Sequence, residues 1–118
     1  MAPRNAVLDD ADLQEKLRQI NPKFGDFCIR VAGEAWGLPH LDQKTKALII
    51  VAVDVANQDQ VSRTSPFGAH VQMAVKQGAS REEIEEVLLL MCVYAGFNKA
   101  AGYFGLLDDV LGPATAKE

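Results

Sequence analysis

The chain has 118 residues and a formal net charge of −4, with 48% hydrophobic and 24% charged residues. That length allows a packed core without staples, and the composition is too apolar for a disordered chain. The acidic balance argues against nucleic acid or an anionic membrane as partner, because both reward a basic surface. "MAPRNAVLDD" lacks the apolar stretch of a signal peptide, and the longest apolar run, Ala47 to Val53, is far too short to span a bilayer. The expected compartment is the cytoplasm.

The first helix is predicted from Asp10 to Ile20, with Leu13, Leu17 and Ile20 forming a narrow apolar stripe. Asn21-Pro22 reads as an N-cap followed by proline at the first helical position, which opens a second helix. Phe24, Phe27, Cys28 and Val31 are its expected buried face. It is expected to end near "WGLP", where Gly37 favours a left-handed cap and Pro39 cannot continue a helix.

Asp42 opens "LDQKTKALIIVAVDVAN", which becomes apolar on every side. Its β-branched residues suit a buried strand, but its length favours a helix, and helix is the reading adopted. "QDQVSRT" reads as a polar loop. Ser65-Pro66 repeats the cap-and-proline signal, Phe67, Val71, Ala74 and Val75 line one face, and Gly78 stops the helix. Ser80 and Glu83 form a capping box for a fifth helix running to Gly96. A sixth, from about Lys99 to Leu111, is stopped by Gly112-Pro113, and the tail "ATAKE" is expected to fray. The expectation is therefore one all-α domain of six helices spanning 1–118, with its core at about 22–111. Two helices apolar nearly all round also suggest contact with another copy of the chain.

Cys28 and Cys92 lie among apolar residues, form no Cys-x-x-Cys and have no histidine at metal-ligand spacing, so both read as reduced structural thiols. No metal motif or Gly-rich phosphate loop is present. Gly102 and Gly105 read as a site of close helix packing. His70 shares a helical face with Phe67, Ala74 and Gln77, where it is either a core residue or an acid–base group. Glu34, set among Ala, Gly and Trp in "VAGEAWG", is either a surface carboxylate or one that orients an imidazole. Trp36 suits a core anchor or a pocket wall. Lys44, Lys46 and Arg63 are candidate cations for a carboxylated substrate, and Arg63 is the best matched to a carboxylate fork.

The pattern "GEAWGLPHLDQKTKALIIVA", followed by "PFGAHVQMAVKQGASREEIEEVLLLMCVYAGFNKA", resembles the carboxymuconolactone decarboxylase superfamily over about Phe24 to Leu111. The resemblance implies an all-α fold of the alkylhydroperoxidase D type, assembling as a homo-oligomer, often a trimer or hexamer. In the superfamily's redox branch, a Cys-x-x-Cys ends four residues before the histidine and a glutamate begins the preceding helix. Here those cysteine positions hold Arg63 and Pro66, and the glutamate position holds Ala47, so peroxidase chemistry by that thiol route is excluded. The other branch is similar to 4-carboxymuconolactone decarboxylases. It implies a cofactor-free carboxy-lyase acting on a small carboxylated lactone, with His70 as acid–base residue and Glu34 orienting it. Arg63 or Lys44 would anchor the substrate carboxylate, and Trp36 would wall the site. The loop "NQDQVSRTSPF" looks longer than in those decarboxylases, and the N-terminal region shorter. Two other readings stand beside this one: a non-catalytic oligomeric binding protein of the same fold, and a peroxidase-like protein that pairs Cys28 with Cys92.

Overall fold

The computed structural model describes residues 3–57 and 65–113. Among them are six α-helices and no strand: α1 (Ala11–Ile20), α2 (Pro22–Trp36), α3 (Gln43–Asn57), α4 (Pro66–Lys76), α5 (Arg81–Tyr94) and α6 (Phe97–Leu111). The all-helical expectation holds, including α3, where length outweighed β-branching. No helix is long and apolar enough among the described residues to cross a membrane. The whole "QDQVSRT" loop and the whole "ATAKE" tail lie outside the described residues. The chain divides into two compact units, Met1–Lys46 and Ala47–Glu118.

In the first unit α1 packs on α2, and glycine sets the distance between them. A β-carbon on Gly25 would stand 2.6 Å from the Arg18 Cα, a backbone atom that has no freedom to retreat. The buried face of α2 is Gly25, Ile29, Gly33 and Trp36. This corrects the expected face: Phe24, Phe27 and Val31 are exposed, and Cys28 is half-buried. A side chain at Gly25 would hold the helices apart, Phe24, Phe27 and Val31 point outward, and the Arg30 guanidinium lies over the Phe27 ring at 5.3 Å. α1 buries no residue fully, and Ile20 is exposed.

The first residues do more than the sequence suggested. Asn5 Oδ1 accepts from the Val7 and Leu8 N–H groups at 2.9 Å each, a local turn. Its Nδ2 donates to the Gly33 carbonyl at 3.1 Å. Ala6 and Val7 are buried, and the Ala6 N–H donates to Gln43 Oε1 at 2.8 Å. The segment before α1 is thus tied to α2 and to the first turn of α3.

The end of α2 is also built differently from the expectation. Gly37 is right-handed (φ −84°, ψ −5°). The Gly37 N–H reaches the Gly33 and Glu34 carbonyls and the Leu38 N–H the Ala35 carbonyl, and the carbonyls beyond them are met from α3: Lys46 Nζ donates to Trp36 O at 2.7 Å and to Leu38 O at 2.6 Å, and Gln43 Nε2 donates to Trp36 O at 2.6 Å. An ammonium at a helix C-terminus also opposes the negative end of the helix dipole. Asp42 begins α3 by accepting the Thr45 N–H at 2.8 Å. Hydrogen bonds from the Thr45 side chain and backbone hold the Asp42 carboxyl below its ordinary value of 3.8.

In the second unit α6 packs against both α4 and α5. Val51, Val55, Phe67, Val71, Ala74, Ile84, Leu88, Tyr103 and Leu107 form the core. Val75, expected on the buried face of α4, is exposed. Gly78 ends α4 at φ +96°, as its position predicts. The capping box on α5 is present in both directions: the Glu83 N–H donates to Ser80 Oγ at 3.0 Å, and the Ser80 N–H donates to Glu83 Oε1 at 2.9 Å. Arg81 donates to Asp108 at 3.2 Å and to the Gly112 carbonyl, which fastens the start of α5 to the end of α6. α6 begins two residues earlier than expected. Gly96, at φ +128°, turns the chain tightly enough for Phe97 to be helical. Gly105 meets nothing within 4 Å where its β-carbon would be, so close packing is not its role among the described residues.

These contacts predict opposite effects for two glycine substitutions. Gly25→Ala forces α1 and α2 apart and costs about 1–3 kcal/mol. Gly105→Ala lies in an open helix interior and adds about 0.5–1 kcal/mol. Chemical denaturation of the two variants measures both. For Asp42, a folded-state value below the unfolded one means that its stabilisation is present above about 3.8 and is lost as pH falls through the depressed value. Asp42→Asn keeps a competent cap without the charge. The Tm difference between wild type and this variant is therefore expected to favour wild type at neutral pH and to shrink in acid.

Candidate functional site

His70 lies in the second turn of α4, and its neighbours follow from the period of that helix. Phe67, three residues earlier, and Ala74, four later, are fully buried, which carries the imidazole to the edge of the core. Its side chain is 27% exposed. Nδ1 lies 2.6 Å from Asp54 Oδ2, a short contact of the kind a charged partner makes. Among the described residues Nε2 has no hydrogen-bond partner.

Asp54 is the acidic residue that sequence reasoning passed over. It lies on the buried side of α3 with Ala47, Val51 and Val55, and its side chain is 10% exposed. Its backbone carbonyl accepts the Tyr103 hydroxyl at 3.3 Å from α6. The Tyr103 ring meets Phe67 edge-on, with centroids 4.9 Å apart and planes at 60°. The circuit then closes: α3 to α4 through the Asp54–His70 bond, α4 to α6 through the two rings, and α6 to α3 through the hydroxyl. The sequence did carry a signal. Asp54 is the one ionisable residue from Ala47 to Asn57, and it follows Ala47 and Val51 by seven and three residues, on the same helical stripe. A carboxylate on such a stripe needs a partner.

The other candidates lie elsewhere in the chain. Glu34 and Trp36 belong to α2 in the first unit, Glu34 exposed and Trp36 buried. Lys44 is half-buried in the first turn of α3. Lys46 is committed to the carbonyls of Trp36 and Leu38, which removes it as a cation for substrate. Arg63 lies outside the described residues, and so does much of the loop that looked longer than in the decarboxylases. Ser65 precedes α4 in extended conformation, but its side chain makes no capping hydrogen bond to the helix. Cys28 and Cys92 are both free thiols. Among the described residues no group of three or more His, Cys, Asp or Glu side chains could hold a metal ion.

An imidazole that is part-exposed on one side and held by a buried carboxylate on the other has the parts of a proton-transfer group. The comparisons with known proteins bear on what it serves. Residues 22–109 match the profile of the carboxymuconolactone decarboxylase family. The chain belongs to that family. It is also similar to the 4-carboxymuconolactone decarboxylase of Acinetobacter baylyi, with 28% identity over 97 residues, covering 81% of this chain and 69% of that protein. No solved structure gives a significant match. The six-helix architecture fits the alkylhydroperoxidase D-like fold that the sequence resemblance implied.

Proposed function

We propose that this family member is a cofactor-free carboxy-lyase acting on a small carboxylated lactone, with 4-carboxymuconolactone as the first substrate to test. The observation that carries the reading is the His70 imidazole, part-exposed and paired with a carboxylate, in a chain related to a decarboxylase of that name. The chemistry asks little of the protein. When the C–COO⁻ bond of such a lactone breaks, CO2 leaves and its electron pair spreads through the C=C into the lactone carbonyl. The protein has to stabilise the resulting dienolate and return one proton to carbon. His70 is the proton donor in this reading. Arg63 keeps the role the resemblance implies, the cation for the substrate's second carboxylate. Two free thiols suit the reducing cytoplasm.

Self-association belongs to the same proposal. Leu89, Leu90, Val93, Tyr94 and Phe97 at the end of α5 and the start of α6 are all exposed, Tyr94 at 83%. Leu90, Val93 and Tyr94 recur at helical spacing on α5, so they form an apolar strip of the sort that a second copy covers.

Two measurements test these readings. Purified protein at micromolar concentration should consume 4-carboxymuconolactone in an absorbance assay, and His70→Asn should lower kcat by roughly 10²–10⁴-fold. No turnover by the wild type removes this substrate, and full activity in the variant removes His70. In light scattering, the native mass should be a multiple of the 12.8 kDa chain, and Val93→Asp should reduce it. A monomeric wild type decides against the interface.

A further inference from the structure

We propose that Asp54 is the positioning residue that selects which nitrogen of His70 works. By holding the proton on Nδ1 it leaves Nε2 as the atom that exchanges protons with substrate. The Nδ1–Oδ2 distance of 2.6 Å makes the hydrogen bond, and a carboxylate can only accept, so Nδ1 is the donor. The opposite tautomer would set the Nδ1 lone pair against the carboxylate oxygen, two acceptors face to face. Nε2 is then the nitrogen without a described partner, on a ring that remains 27% exposed.

Asp54 is also placed to resist movement. It lies on the buried side of α3, and its carbonyl is bound by Tyr103, itself packed on Phe67 one turn before His70. Carboxylate and ring therefore share one scaffold, and no rotation of α4 alone changes their distance without disturbing the Phe67–Tyr103 contact.

The catalytic consequence rests on the decarboxylase reading of His70. The Nε2–H bond of the imidazolium breaks as the new C–H bond forms at the dienolate carbon, and the ring is left neutral with its proton on Nδ1. Solvent then restores the proton on Nε2. Throughout, the positive charge appears and disappears beside a fixed negative one, so the carboxylate stabilises the proton-loaded state while the exchanging atom stays the same.

The test has two arms. Long-range ¹H–¹⁵N spectra of ¹⁵N-histidine-labelled protein, followed across a pH series, report which nitrogen carries the proton. Wild-type His70 is expected to be protonated on Nδ1. Asp54→Asn, nearly identical in shape, can donate its amide to Nδ1 and is expected to move the proton to Nε2. In the lactone assay the same variant should lose roughly 10²–10⁴-fold in kcat with KM changed by less than about threefold, and Asp54→Glu should recover part of the loss. A wild-type ring protonated on Nε2 overturns the proposal, and so does an Asp54→Asn variant with unchanged tautomer and undiminished kcat. A variant that fails to fold leaves the wild-type spectrum to decide. Absence of turnover in the wild type tells against the decarboxylase reading alone, since the tautomer is read in the resting protein.

Discussion

A carboxylate carried on the buried stripe of an apolar helix must find a hydrogen-bonding partner, and much of the second unit is arranged around that requirement. Asp54 meets it with His70 at 2.6 Å. An unpaired charge at that depth costs several kcal/mol, so the pairing constrains α3 and α4 more strictly than apolar contact would. Hydrophobic packing tolerates sliding, whereas a short charge-assisted hydrogen bond does not. Tyr103 extends the constraint to α6 by binding the backbone of the residue whose side chain holds the histidine. A reactive group and its orienting partner thus sit on helices rather than on loops, which suits a site that must keep its geometry through a proton transfer.

The first unit follows a different rule. Its helices approach through Gly25, Gly33 leaves room for the Leu8 side chain, and polar side chains add to the backbone's own hydrogen bonds: Asn5 at the Gly33 carbonyl, Gln43 and Lys46 at the end of α2. Here the lysine that composition would offer to a substrate serves the backbone instead. Its ammonium finds fixed carbonyl dipoles at a helix end, which compete well with water for an ion of that charge.

Local chemistry was legible where a feature spans only a few residues. The capping box at Ser80 and Glu83, the prolines opening α2 and α4, the stop at Gly78 and the helical state of α3 depend on neighbours within one or two turns, and each is found. Readings that needed a second element went astray. The buried face of α2 was assigned to Phe24, Phe27 and Val31, because burial was judged by side-chain apolarity alone. Apolarity says nothing of Gly25 and Gly33, which are buried because a neighbour comes within 3 Å of where their β-carbons would stand. Gly37 needs no left-handed cap, because its own N–H and that of Leu38 reach the Gly33, Glu34 and Ala35 carbonyls from a right-handed turn, and Lys46 of the next helix meets the Trp36 carbonyl.

The site divides in the same way. His70 was visible as the single histidine on a helical face, and the motifs around it led to the family that the profile match then established. Asp54 was not picked out, although its place on the stripe with Val51 and Val55 could be counted from the sequence. The sequence by itself determined the helices, the caps at Asn21 and Ser80, and the family, because these follow from short-range periodicity and from residue order. Only the tertiary structure decided which acid meets the imidazole. The two partners stand sixteen positions apart in the chain, and the contact depends on how α3, α4 and α6 pack. No local propensity encodes that distance.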